Sequence, residues 1–257
     1  DNLRKEMHPM NMFCYQCEQT AQGTGCTAHG VCGKDPETAA LQDLLVYALK
    51  DIARYAHRAG QLGARSDRAD GFVLDGLFAT VTNVDFDPER LQQHLREAAE
   101  VRSEVIDLYR RAAAEQDRTP EEFECRTPWW EGLGDLAELI DKGETVTIQA
   151  RLESLGEDVT GLQELILYGL KGAAAYAHHA RELGKADPEL CADFWSMLDY
   201  LSANPAEVGD LAAKALDAGR INLRAMELLD AANTETYGHP EPTEVRVTPV
   251  AGKCIVV

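Results

Sequence analysis

Four cysteines fall within nineteen residues near the amino end, in the pattern Cys14-x2-Cys17-x8-Cys26-x5-Cys32. Thiolates are soft ligands that suit iron–sulfur clusters, Zn(II) or Cu(I). A C-x-x-C pair lets two of them reach one metal body from a tight turn. Structural zinc sites usually close on two short knuckles, but here the second pair is wide. Gly23, Gly25, Gly30 and Gly33 are interleaved with the cysteines. Glycine lets backbone N–H groups approach sulfur closely, which stabilises a charged cluster and tunes its potential. Phe13 and Tyr15 stand where they would shield such a cluster from water. Spacing alone leaves three readings open: a [4Fe–4S] cluster first, then a structural zinc loop, then unmetallated thiols.

The remaining chemistry-bearing residues point to structural roles. Cys125, Cys191 and Cys254 are widely spread, as expected of small buried hydrophobes. His57 and His178 are expected near helix C-termini, facing the carbonyl end of the dipole. His29 lies inside the cysteine loop, where four thiolates already complete a site. His239 sits in a Gly-His-Pro turn. Trp129 and Trp130 follow Pro128 and are expected to anchor a connector. Tyr47, Tyr55, Tyr168 and Tyr176 recur at helical spacing and read as core. Phosphate-cradling glycine loops, GxSxG elbows and HExxH helices do not occur.

The elements that must position the cysteine loop are helical. Asp35-Pro36-Glu37, Asp87-Pro88-Glu89 and Asp187-Pro188-Glu189 are three copies of one start signal. Asp accepts from the free N–H groups of a first turn, Pro lacks an N–H that would be orphaned, and Glu faces the positive dipole end. Asn204-Pro205 and Thr119-Pro120 are weaker versions. Helices are expected over 36–60, 71–83, 88–115, 159–183, 188–202 and 205–232, with a further short one at 120. Residues 124–157 read as a connector with short helices. Leu41, Leu44, Leu45, Ala48, Leu49, Ile52 and Tyr55 make one apolar stripe.

An internal repeat organises these helices. Leu41–Gly63 aligns without gaps to Leu162–Gly184, with 13 of 23 positions identical, among them Tyr47/Tyr168, Lys50/Lys171, Tyr55/Tyr176 and His57/His178. The expected architecture is all-α: a cysteine-rich loop (1–35), a first three-helix bundle (36–118), a connector (119–157) and a second bundle (158–236). Residues 237–257 are rich in proline and end in Cys254-Ile255-Val256-Val257, which reads as the first strand of a further α/β domain in a longer protein.

Composition limits the partners. The 257 residues are 45% hydrophobic and 27% charged, with a net charge of −19. That is globular composition. So much negative charge repels phosphate backbones and anionic membranes, which excludes nucleic acid as an expected partner. No apolar run reaches the roughly 18 residues of a membrane span. The first residues, DNLRKEMHPMNMF, hold no apolar signal core. With an odd cysteine count, this predicts a reducing compartment, the cytoplasm, rather than a disulfide framework.

The stretch MFCYQCEQTAQGTGCTAHGVCGKDPETAALQDLL strongly resembles the amino end of the hybrid cluster proteins, also called prismane proteins or hydroxylamine reductases. FVLDGLFATVTNVDFD (72–87), LLDAANTETYGHPEPTEV (228–245) and the duplicated helices resemble the same family. The resemblance implies a [4Fe–4S] cubane on Cys14, Cys17, Cys26 and Cys32. It implies a helical part of two three-helix bundles followed by two Rossmann-like α/β domains. It also implies an iron–sulfur–oxygen hybrid cluster, held by one His, two Glu and four Cys, none of which matches a residue of this chain. The implied activity is reduction of hydroxylamine to ammonia and water, or of nitric oxide in nitrosative stress, with electrons from a redox donor protein. In that reading these 257 residues are the electron-relay part, without catalytic residues of their own. Two alternatives are a stand-alone electron-transfer or cluster-binding module and a carbon monoxide dehydrogenase relative.

Overall fold

The computed structural model describes residues 12–245 together with 247, 248, 251 and 252. The strand expected at 254–257 and Cys254 itself lie outside the described residues. Among the described residues the protein is all-α. A 3-10 turn at Ala21–Gly23 precedes eight helices: α1 (Pro36–Gln61), α2 (Asp67–Ala79), α3 (Pro88–Glu115), α4 (Leu136–Glu144), α5 (Ile148–Leu155), α6 (Glu157–Glu182), α7 (Pro188–Ser202) and α8 (Val208–Tyr237).

The three Asp-Pro-Glu signals do what their chemistry predicts. Asp35 accepts from the Thr38 N–H at 2.7 Å. Asp87 accepts from Glu89 and Arg90, and Asp187 from Glu189 and Leu190. Three other expectations are corrected. Helix α2 starts at 67 rather than 71, because the Ser66 hydroxyl caps it by accepting from Ala69 N–H. No helix starts at Pro205. Asn204, at φ +49°, closes the end of α7 in the left-handed region, and α8 begins three residues later. Residues 116–135 hold no helix, so Pro120 starts none. The connector's short helices are α4, capped by Asp135, and α5, capped by Thr147.

The repeat equates α1, α2 and α3 with α6, α7 and α8. Within each copy the first and third helices pack along one another. The middle helices cross over: α7 packs on α1 and α2 packs on α6, each more extensively than on the first helix of its own copy. One continuous apolar core results, drawing Leu41, Leu45, Phe72 and Leu95 from the first copy and Leu170, Phe194 and Leu211 from the second. The connector then lies against α1. Gly143 of α4 comes so close that a Cβ there would stand 2.3 Å from the Ala40 carbonyl oxygen. Only glycine fits that approach.

Asp51 of α1 fixes the connector. Its carboxylate is nearly closed to water. It pairs with Arg54 one turn on and accepts from Arg102 Nε of α3 at 2.6 Å and from Trp129 Nε1 at 3.1 Å. Trp129 is fully buried. Trp130 meets it edge-on and takes the Arg102 guanidinium on its face at 3.7 Å. The tryptophan pair thus anchors the connector, as expected from sequence. The tyrosines divide. Tyr55 is buried against Phe123 and Tyr109, whereas its repeat equivalent Tyr176 is exposed. Tyr55 is covered by the connector, and no connector aromatic stacks on Tyr176. His178 is also corrected. Its Nδ1 lies 2.7 Å from Asp75 Oδ1, so it ties α6 to α2 rather than only facing its own dipole.

Removing one partner from a buried ion network strands the others and costs about 3–5 kcal/mol. Asp51→Ala is therefore expected to lower the unfolding free energy by about 3–5 kcal/mol in urea titration. Asp51→Asn should cost less, because the amide oxygen still accepts from Trp129.

Candidate metal centre

The cysteine loop is built on a single antiparallel bridge. Cys14 N–H donates to the Cys26 carbonyl at 3.1 Å, Cys26 N–H returns to the Cys14 carbonyl at 2.9 Å, and Met12 N–H extends the pair to Thr27 at 2.9 Å. Residues that exchange both hydrogen bonds point their side chains to one face, so Cys14 and Cys26 share a side. A small apolar cluster of Met12, Cys26 and Ala39, with Cys14 and Ala21 against it, seats this bridge on the start of α1. Cys17 lies in the turn that follows, its carbonyl accepting from Thr20. Cys32 lies in a second turn closed by Gly33 N–H on the Gly30 carbonyl and by Gly30 N–H on the Lys34 carbonyl.

The four thiols are unequal in cover. Cys26 is buried, and Cys14, Cys17 and Cys32 are half-buried. The six described cysteines of the chain are all free thiols. Among the described residues, no three His, Cys, Asp or Glu side chains are gathered as a single ion would require. The loop draws Cys14 and Cys26 together and places Cys17 and Cys32 on flanking turns.

Several contacts fit these sulfurs to an anionic inorganic group. The Ala21 N–H donates to Cys26 Sγ at 3.4 Å, which favours negative charge on sulfur. Lys34 is buried, and its ammonium lies 4.0 Å from Cys14 Sγ. The ammonium also lies 5.8 Å from the centroid of the Phe86 ring and near enough to the Asp43 carboxyl to act on its charge. A buried ammonium is costly unless an opposite charge meets it, and the sulfur site can provide one. Glycine is required at Gly25, where φ is +143° and a Cβ would stand 2.6 Å from the Phe13 ring. Phe13 therefore folds over the loop, whereas Tyr15 is exposed and gives no shield; that expectation is corrected. His29 is exposed.

Behind the loop lies a cavity of about 390 Å³, reached by Cys14 and Lys34 and walled by α1, α5 and α6. Asp43 and Lys50 of α1 and Glu164 and Lys171 of α6 line it. Burial pushes Asp43 up to about 6, Lys50 down to about 7 and Lys171 down to about 8. Neither Lys34 nor these four were singled out as functional from sequence. A signal was available: charges seven residues apart on an otherwise apolar helix face, kept in both copies of a repeat. Of the other described cysteines, Cys191 is buried and Cys125 half-buried. Burial pushes the Cys191 thiol up to about 12, and Cys125 donates to the Thr127 carbonyl at 3.1 Å.

Three similar proteins carry the name hydroxylamine reductase. That of Acidithiobacillus ferrooxidans is 46% identical over 250 residues, covering 96% of this chain and 45% of that protein. That of Rhodospirillum rubrum is 47% identical over 246 residues, and that of Burkholderia ambifaria 46% identical over 253, with the same coverage in each case. The chain spans somewhat less than half the length of these relatives. The family model described as Prismane/CO dehydrogenase matches residues 12–257, a span that takes in the whole cysteine loop and both copies of the helical repeat, and so the chain belongs to the Prismane/CO dehydrogenase family.

Proposed function

We propose that this chain serves an iron–sulfur oxidoreductase of the hybrid cluster type as its electron-relay part, with Cys14, Cys17, Cys26 and Cys32 holding a [4Fe–4S] cluster. The observation that carries the reading is the environment of the sulfurs. An N–H is aimed at Cys26, and a buried ammonium stands beside Cys14. Both stabilise negative charge, as four thiolates around an iron–sulfur core require. When bound, such a cluster supplies one-electron transfer. This chain's residues do the rest. The thiolates fix its position, Met12 and Ala39 keep water from its inner side, and Lys34 and the Ala21 N–H set its potential.

The net reaction of the whole enzyme is hydroxylamine plus two electrons and two protons giving ammonia and water, with nitric oxide as the alternative substrate in nitrosative stress. The electrons come from a redox donor protein. The hybrid iron–sulfur–oxygen centre where reduction takes place is assigned no ligand in this chain. The names of the similar proteins favour this reading over carbon monoxide chemistry, although the family label covers both. The free thiols fit a reducing cytoplasm. No helix among the described residues is long and apolar enough to cross a membrane.

Anaerobically prepared protein is expected to contain about four irons and four sulfides bound by this chain's thiolates. Cys14→Ser or Cys26→Ser should lose most of both, and the EPR signal of the reduced protein should go with them. One zinc and no sulfide would overturn the reading.

Lys34 gives a second test. Replacing it with Met removes a positive charge beside Cys14 while keeping the stem that packs on Phe86. Lys34→Met is expected to lower the cluster's reduction potential, by about 60 mV for each 1.4 kcal/mol of lost charge stabilisation. Redox titration followed by EPR measures it. An unchanged potential would mean that the ammonium does not act on the cluster.

A further inference from the structure

The electron-relay reading makes no use of the cavity behind the cysteine loop. Duplication has put the same pair of charges into it twice. Asp43 and Lys50 on α1 recur as Glu164 and Lys171 on α6, and all four line the same space. Glu164 and Lys171 are buried and Asp43 and Lys50 half-buried, and ions so placed cost free energy unless they are partnered. Glu164 is partnered by Arg151 at 2.5 Å. Among the described residues Lys171 makes one hydrogen bond, to the Thr80 carbonyl at 3.3 Å, and lies over the Tyr168 ring. Asp43 and Lys50 make no hydrogen bond or ion pair with any described residue.

The sign of the imbalance is clear. Six basic side chains, Lys34, Lys50 and Lys171 among them, line the cavity against four carboxylates, in a chain whose net charge is −19. A concentration of positive charge inside so acidic a protein has to meet negative charge there. At about 390 Å³ the space falls within the usual range for a small-molecule site.

We propose that this cavity binds a small oxyanion, an inorganic oxoanion or an organic carboxylate, clamped between the ammonium groups of Lys50 and Lys171. Arg151 is already engaged by Glu164 and Gln163, so it holds the wall rather than the ligand. Of the carboxylates there that oppose an anion, Asp43 has no hydrogen bond or ion pair with any described residue. Burial pushes its carboxyl up to about 6, so it takes up a proton more readily than a surface carboxyl. Protonated, it would donate to an anion oxygen instead of repelling it. The charge pattern is recorded twice because each half of the repeat supplies one ammonium.

Isothermal titration of the intact anaerobic protein with sodium sulfate and with sodium acetate, at constant ionic strength and near neutral pH, tests this. Saturable binding of at least one of the two is expected. It should weaken about tenfold or more in Lys50→Gln and in Lys171→Gln and be unchanged in Lys185→Gln, which removes a surface ammonium paired with Glu235. If a lysine variant loses its helical circular dichroism, Asp43→Asn takes its place, and removing the opposing carboxylate should tighten binding severalfold. In crystals soaked with selenate, the anomalous peak should lie between Lys50 and Lys171. No saturable heat from either anion, equal affinity in all variants, or a cavity filled by protein in the intact molecule would each overturn the proposal. None of these readouts depends on what the cysteines hold, so its failure is separable from failure of the cluster reading.

Discussion

The Asp51 carboxylate lies in a place almost closed to water, and donors from three pieces of chain meet there. Arg54 comes from its own helix, Arg102 from α3 and Trp129 from the connector. Apolar contact alone would let the connector slide along α1, because the hydrophobic effect has little directionality. A carboxylate with three donors at set distances does not allow that. Once Trp129 is fixed, α4 is drawn onto α1 until Gly143 touches the Ala40 carbonyl. Helix α5 follows and carries Arg151 to Glu164 and Gln163 of α6. The cavity wall is therefore set by a network whose centre is Asp51, next to Lys50 in sequence but turned toward the connector.

The repeat is nearly symmetric in sequence and less so in structure, for an identifiable reason. Only the first copy is followed by a long connector. Tyr55 is covered by Phe123 and Tyr109, whereas Tyr176 is left exposed. Crossing of the middle helices compensates for this inequality. Because α7 lies on α1 and α2 lies on α6, each copy completes the other's core. His178 with Asp75 and Trp195 Nε1 with Asp70 at 2.8 Å pin the crossing, and both link residues of opposite copies. A pair of bundles that merely touched would have no need of such polar ties between them.

Much of this was legible in the sequence because local chemistry decides it. The Asp-Pro-Glu starts, the apolar stripe of α1 and the tryptophan anchor depend on neighbours a few residues away. Where expectation missed, a competing local signal or a distant partner had won. Ser66 outweighed the later apolar start of α2 because a hydroxyl cap satisfies a free N–H. Asn204-Pro205 resembled a helix start, yet Asn204 is stable in the left-handed region and so ends α7. The exchange of middle helices was not legible at all. An amphipathic helix declares that one face is buried, not against which partner. Of the candidate metal centre, the grouping of the four cysteines in one loop is visible in their spacing, but the approach of Lys34 is not. Its neighbours in sequence, Gly33 and Asp35, give no hint that its ammonium turns back twenty residues to Cys14.

That reversal of Lys34 joins the two sites. The same residue stands beside Cys14 and lines the cavity, so its charge belongs to both. Coulomb interactions in a low-dielectric interior reach several ångströms with little screening. An anion held by Lys50 and Lys171 draws on the field that also stabilises negative charge on the sulfurs. If the sulfurs hold a redox cluster as proposed, its reduction would add negative charge beside Lys34 and make the cavity less welcoming to an anion. By linkage the effect is equal in the other direction, so a bound anion makes the sulfur site harder to reduce by the same free energy. Lys171 takes part too, since it senses Cys14 and Lys34 as well as Glu164 and Asp43. On the two proposals taken together, the duplicated charges of α1 and α6 would couple the occupancy of the cavity to the oxidation state of the cluster.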